Sequence, residues 1–253
     1  MPFHRREFLA LAAGGAALAV SGAARALAAV KIETEVVAFD AFALFDLRPV
    51  FALATKMFPE NGQALAALWR DKESEYCWLR GLSDRYIDFR NVSEQALIYA
   101  ARSLKLDLRD DHRKQLMDGY LHLKLWPDAL QSITLLNDMQ LQIVLLSNMT
   151  ESMLAANLNG AGIADVIDDV ISTSAKKTYK PDPRAYRMVM ERCDVVRGQV
   201  VYVPIAGWDA AGAKWFGYPT YWANRLNTPS EKLDVVADVA YGDLSKLADF
   251  IEP

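Results

Sequence analysis

Val36-Val37-Ala38-Phe39 is a short, partly β-branched apolar run that stops at Asp40. A run of this length closed by a polar residue predicts a buried strand, here with a carboxylate at its carboxyl end. From Pro49 to about Trp126 the apolar period becomes helical. Residues 64–82 carry Leu65, Leu68, Trp69 and Tyr76 at helical spacing. Ser93 is placed to cap a helix running to Leu104, and Asp110 or Asp111 to start the next. Nothing in that stretch reads as a strand. After Pro127 strand and helix patterns alternate: strands over 142–146, 166–171, 200–203 and 219–222, and helices over 151–158, 183–193 and 208–216. Repeated strand–helix units predict a parallel sheet with helices on both faces. The expected fold is α/β: a doubly wound, Rossmann-like parallel-sheet core from residues 31–48 and 127–253. A helical cap, residues 49–126, is inserted after the first strand. Ligands in such sheets bind beyond the carboxyl ends of the strands, and a cap over that edge would exclude water.

The composition agrees with a folded domain. Of 253 residues, 52% are hydrophobic, and 28 basic residues face 32 acidic ones for a net charge of −4. A disordered chain would be poorer in apolar residues, and a nucleic-acid binder working by bulk charge needs a basic face. The first residues read as an address. His4-Arg5-Arg6-Glu7 precedes an uncharged run from Phe8 to Val20, too short to span a bilayer, and Ala26-Leu27-Ala28 offers small residues where a signal peptidase reads. Paired arginines before such a run resemble a twin-arginine export signal. The expectation is a signal peptide over 1–28, recognised by the twin-arginine machinery, and a periplasmic protein with no membrane segment after its removal. Cys77 and Cys193 fit no metal-ligand spacing. They could pair in an oxidising compartment, but two buried, unpaired thiols are the preferred reading.

Polar groups gather at strand ends. Asp40, Ser147-Asn148 and Asp209 follow three different strands, and the loop residue Lys180 could reach the same edge. Read singly, each has a plainer role: an Asp after a strand caps a turn or helix, Ser-Asn makes a turn, and Lys-Pro is a solvated loop. Their combination and order are far more specific. Phe39-Asp40-Ala41-Phe42, Leu146-Ser147-Asn148, Tyr179-Lys180-Pro181-Asp182-Pro183-Arg184-Ala185-Tyr186 and Gly207-Trp208-Asp209-Ala210-Ala211-Gly212-Ala213 resemble the motifs of the haloacid dehalogenase superfamily. Leu68-Trp69-Arg70, Glu75-Tyr76-Cys77-Trp78-Leu79-Arg80 and Phe216-Gly217-Tyr218-Pro219-Thr220 resemble its type II, L-2-haloacid, dehalogenases.

That resemblance implies hydrolysis of small (S)-2-haloacids to (R)-2-hydroxyacids through an aspartyl ester, with no metal and no cofactor. Asp40 would be the nucleophile, Lys180 would hold it ionised, Arg70 with Asn148 would receive the halide, and Asp209 would activate water. Ala41, Phe42 and Ser147 would meet the substrate carboxylate, while Phe89, Tyr186 and Trp208 would shape the pocket. Members are often homodimers. Phosphoryl-transfer relatives carry a second Asp where this chain has Phe42, and a further carboxylate where it has Ala213, so a metal-dependent phosphatase is disfavoured. The chain also departs from the type II pattern. Its first loop, Asp40-Ala41-Phe42-Ala43-Leu44-Phe45-Asp46, is one residue short and lacks the usual Tyr, Gly and Thr. Pro204 and Ala206 stand where Ser and Asn are usual. The charged set is complete and the neutral hydrogen-bonding set depleted. The alternative is therefore an exported protein that binds small carboxylates and turns over weakly or not at all.

Overall fold

In a computed structural model, residues 33–252 are described; the export signal read over 1–28 lies outside them. In chain order the elements are β1 (Val36–Phe39), α1 (Ala41–Leu44), β2 (Phe45–Asp46), α2 (Arg48–Met57), α3 (Gly62–Leu82), α4 (Phe89–Ser103), α5 (Asp110–Gly119), β3 (Lys124–Leu125), α6 (Ala129–Asp138), β4 (Gln142–Ser147), α7 (Glu151–Ala161), β5 (Asp169–Ser172), α8 (Pro183–Cys193), β6 (Val200–Val203), α9 (Gly207–Phe216), β7 (Tyr221–Ala223), β8 (Val239–Tyr241) and α10 (Leu247–Ile251).

Four strands form a parallel sheet in the order β5-β4-β1-β6. The chain leaves β1 for β4 on one side and later returns to β6 on the other. The order therefore reverses at β1, which opens a crevice beyond its carboxyl end. Both faces of β1 and β6 are buried, as their unbroken apolar runs require. Val36, Ala38, Val200 and Tyr202 share one core with Met188 and Val189 of α8 and Ala213 and Phe216 of α9. Val37, Phe39, Val201 and Val203 share the other with Ile133 of α6, Leu154 of α7 and the apolar residues of α2–α5. Alternation along the strand thus places helices on both sides, and the four helices α2–α5 all fall between β1 and β4.

Several local expectations change. Ser93 is not a cap. Asp88 caps α4, its carboxylate accepting from the Asn91 N–H at 2.9 Å, and Ser93 lies inside the helix, fully buried, where its carbonyl accepts from the Trp69 indole at 2.8 Å. The stretch read as free of strands contains β3, which pairs antiparallel with β2. The strand read over 166–171 begins at Asp169, because Ala164–Val166 forms a 3-10 turn and Asp168 takes the Ile143 N–H on its side chain at 2.7 Å. The short strand expected over 219–222 is Tyr221–Ala223, and it pairs with β8, which had no clear pattern. Both cysteines are free; Cys77 is buried and Cys193 only half so.

Candidate active site

The strand termini bring three charged groups together. Asp40 directly follows β1, Asp209 lies in the first turn of α9 after β6, and Lys180 comes from the loop between β5 and α8. That loop is pinned at Lys180 itself, whose N–H donates to Asn148 Oδ1 at 2.9 Å. The Tyr179 hydroxyl also donates to the Ile87 carbonyl of the segment entering α4. Lys180 Nζ then donates to Asp40 Oδ1 at 2.7 Å, to Asp209 Oδ2 at 2.6 Å and to the Tyr202 hydroxyl at 2.7 Å. Asp40, Lys180 and Asp209 are 5%, 1% and 1% exposed. Charges this deep persist only when paired and hydrogen-bonded.

Electrostatics sets the two buried partners apart. Burial pulls the Lys180 ammonium down, but Asp209 and Asp40 outweigh it and the group ends above its ordinary value. Burial, with help from the Asp40 charge, raises the Asp209 carboxyl against the opposing pull of Lys180. A carboxylate whose affinity for a proton is raised suits a base. Asp209 is held at both oxygens: Tyr186 donates to Oδ1 at 2.8 Å and Tyr202 to Oδ2 at 2.9 Å. Gly212 permits this. A Cβ there would overlap the Tyr186 hydroxyl and lie 2.6 Å from Pro181 Cβ, so only glycine lets α9 come so near.

A cavity of about 40 Å³ opens over this cluster, room for a few water-sized groups. Asp40, Phe42, Ser147, Asn148, Lys180, Trp208 and Asp209 line it from the sheet side, and Arg70 of α3 and Phe89 of α4 from the helical insertion. Nine of the eleven residues expected at the site therefore share one cavity. Arg70 is a third exposed, its guanidinium 5.5 Å from the Phe42 ring centre. Asn148 turns its oxygen to the Lys180 N–H and Thr173, which leaves its amide NH2 for the cavity. Ala41 and Tyr186 are not on the wall. Ala41 is buried in α1, and Tyr186 stands behind Asp209. The Phe42 N–H, expected to meet a substrate carboxylate, donates to Asp40 Oδ2 at 3.2 Å, so Asp40 caps α1.

Other wall residues had no assigned role: Glu73, Ser74, Cys77 and Trp78 of α3, and Ile205 and Ala206 before α9. Helical phase could have found the first group, because positions three, four, seven and eight after Arg70 share its face. Glu73 is 3% exposed; its Oε1 lies 3.6 Å from Arg70 Nη1, and its Oε2 accepts from the Tyr120 hydroxyl at 2.8 Å. Burial raises the Glu73 carboxyl, against Arg70, Ser93 and Tyr120. At the lip, Trp78 and Trp208 meet edge to face with ring centres 5.5 Å apart.

The donors present do not fit a divalent cation. The Lys180 ammonium bridges Asp40 and Asp209, both Asp209 oxygens are engaged, and Ala213 stands four residues on.

Known proteins resemble this chain in sequence and fold. The family model described as a haloacid dehalogenase-like hydrolase matches residues 24–217. An (S)-2-haloacid dehalogenase of Pseudomonas sp. (strain YL) is 34% identical over 217 residues, covering 85% of this chain and 94% of that protein. The crystal structure of an L-2-haloacid dehalogenase, 36% identical, superposes with a TM-score of 0.85 over 87% of this chain and 100% of its own. The L-2-haloacid dehalogenase of Xanthobacter autotrophicus with chloropropionic acid covalently bound, 30% identical, gives 0.79 over 87% and 98%. With the family model matching residues 24–217 and relatives above 30% identical over most of both chains, the chain belongs to the haloacid dehalogenase-like hydrolases.

Proposed function

We propose that the protein hydrolyses the carbon–halogen bond of small (S)-2-haloacids, giving (R)-2-hydroxyacids. The observation that carries this reading is the buried Asp40–Lys180–Asp209 cluster facing a small cavity with a guanidinium on its far wall. One Asp40 oxygen attacks C2 from the side opposite the halogen. The C–O bond forms as the carbon–halogen bond breaks, and the halide leaves with the bonding pair toward Arg70 and the Asn148 amide. The carbon inverts once and an ester remains on Asp40. A water then adds to the Asp40 carbonyl carbon and passes a proton to Asp209. The acyl–oxygen bond breaks, the leaving alkoxide takes the proton held on Asp209, and the water's second proton passes from Asp40 to solvent, which restores the carboxylate. A nucleophilic carboxylate must be ionised yet stripped of water, which Lys180 and burial supply. The covalent chloropropionic adduct of the Xanthobacter enzyme supports the same route here.

A protein that merely bound carboxylates would gain nothing from two buried carboxylates beside its ligand, since like charges repel. A small cavity walled by Phe42, Phe89 and Trp208 favours short-chain acids. The test is halide release from (S)-2-chloropropionate, with and without EDTA, alongside mass spectrometry after one turnover in ¹⁸O water. Label in Asp40, release insensitive to EDTA and loss of release in Asp40→Asn are expected. Label in the product alone would refute the ester route.

Two finer proposals accompany this one. Residues 1–28 direct twin-arginine export to the periplasm, supported by Arg5-Arg6 and the Ala26-Leu27-Ala28 site; cell fractionation of an Arg5→Lys, Arg6→Lys variant tests it. The insertion, residues 49–126, acts as the cap and pairs two copies, supported by the exposed Leu79, Leu82 and Tyr99 of α3 and α4; sedimentation tests it. Among the described residues no helix is long and apolar enough to cross a membrane.

A further inference from the structure

We propose that Tyr202 is a positioning residue for the second half of this reaction: its hydroxyl holds Lys180 and Asp209 in place while the Asp40 ester is hydrolysed. The inference rests on the ester route proposed above.

Tyr202 belongs to β6 and is fully buried. Its ring packs in an aromatic group with Tyr186, at 5.5 Å, and Tyr218, at 6.2 Å. Packing alone would be met by phenylalanine. The hydroxyl, however, closes a triangle: 2.7 Å from Lys180 Nζ and 2.9 Å from Asp209 Oδ2, which are themselves 2.6 Å apart. An ammonium has three hydrogens and no acceptor. Two go to the carboxylates of Asp40 and Asp209, and the Tyr202 oxygen receives the third. Having accepted from Lys180, Tyr202 has its own hydrogen to give, and Asp209 Oδ2 is the acceptor at hand. The proton directions are therefore fixed, from Lys180 to Tyr202 to Asp209.

This matters most after the first step. Before it, Lys180 sits between two anions. Once Asp40 is esterified, one of those anions is gone, and Asp209 is the carboxylate left to attract the ammonium. Unrestrained, Lys180 would move fully onto Asp209 and occupy the carboxylate that must take the water's proton. The Tyr202 oxygen holds the ammonium back, and the Tyr202 O–H, opposite Tyr186, fixes the plane of the Asp209 carboxylate. Pro204 and Ala206, between this strand and Asp209, have no side-chain hydrogen-bonding group to offer, and the strand itself supplies a neutral hydroxyl.

The test is Tyr202→Phe, which keeps the ring and removes one oxygen. Losing a hydrogen bond to charged groups is expected to slow turnover about ten- to a hundredfold. If only ester hydrolysis is slowed, kcat and KM fall together while kcat/KM, which reports ester formation, stays within about threefold of wild type. The Asp40 adduct should then accumulate in intact-protein mass spectra of quenched reactions. Tyr218→Phe removes a hydroxyl from the same aromatic group, one bonded to the Tyr186 carbonyl, and should leave the ester's lifetime unchanged. A fall in kcat/KM matching that in kcat, with no adduct, would overturn the inference, as would kinetics equal to wild type. Should Tyr202→Phe fail to fold, fluorinated tyrosine at 202 keeps the shape and weakens the oxygen as an acceptor. It should prolong the ester, and an unchanged lifetime would refute the role. If the wild type itself shows no adduct and no ¹⁸O in Asp40, the ester route fails, and that result is distinct from any outcome at Tyr202.

Discussion

Glu73→Gln tests how the halide site is balanced. Arg70 is the cation assigned to the departing halide, yet a buried carboxylate already lies 3.6 Å from it. At that distance, with an effective dielectric constant of about 20, the attraction is about 5 kcal/mol. Because the Arg70 side chain is 33% exposed, solvent screens much of this and leaves about 1–2 kcal/mol. An ionised Glu73 should therefore weaken Arg70's hold on an anion by that amount, or about five- to thirtyfold in kcat/KM. Glutamine keeps the shape and still accepts from Tyr120, so the helix packing survives. Halide-release kinetics from mildly acidic to mildly alkaline pH should show the variant faster in alkali. The two proteins should converge in acid, where Glu73 of the wild type protonates. Stability should follow the same direction. A buried carboxyl raised above its unfolded value contributes stability at low pH and loses it as pH rises through the folded pKa. Glu73→Gln should then melt higher than wild type only in alkali. A variant slower than wild type at every pH would refute the reasoning and make Glu73 a support for Arg70 instead of a competitor for its charge.

Three further outcomes follow from the cluster and its surroundings. Lys180→Met leaves two buried carboxylates without their cation and should cost about 3–5 kcal/mol in urea unfolding, with halide release lost; unchanged stability would show that the site rearranges freely. The raised Lys180 pKa contributes stability below the ordinary value of 10.5 and loses it as pH climbs through the folded value, so wild-type melting should fall in strong alkali. Gly212→Ala pushes α9 from Tyr186 and should impair turnover more than it lowers the melting temperature, measured on one preparation.

The sheet was legible because its strands have apolar centres, and β1, β4 and β5 run into a polar residue at the carboxyl end. Asp40, Ser147 and Asp209 could be placed at one edge from the sequence alone. Lys180 could be placed only by motif, because a loop lysine has no periodicity to read. Tyr202 was hidden for the opposite reason. In Val200-Val201-Tyr202-Val203 it reads as one more core residue, and its function depends on atoms from positions 180 and 209. Ser93 misled because a capping residue type says nothing about where the chain enters the helix. That entry is set at Asp88, beside the Ile87 carbonyl held by Tyr179. Glu73 was within reach once Arg70 was assigned inward, since one turn of helix puts both on one side. The strand at 169 slipped from its expected start because Asp168 spends its side chain, and not only its backbone, on β4.

The paired indoles at the cavity's lip have an experimental use. Trp78 belongs to the helical insertion and Trp208 to the sheet domain's α9, so any excursion that widens the entrance must pull the two rings apart. The protein thereby carries a native optical gauge of its own gate. Intrinsic emission, compared between wild type and Trp78→Phe, would time the entry of an acid and the exit of its product without any attached dye.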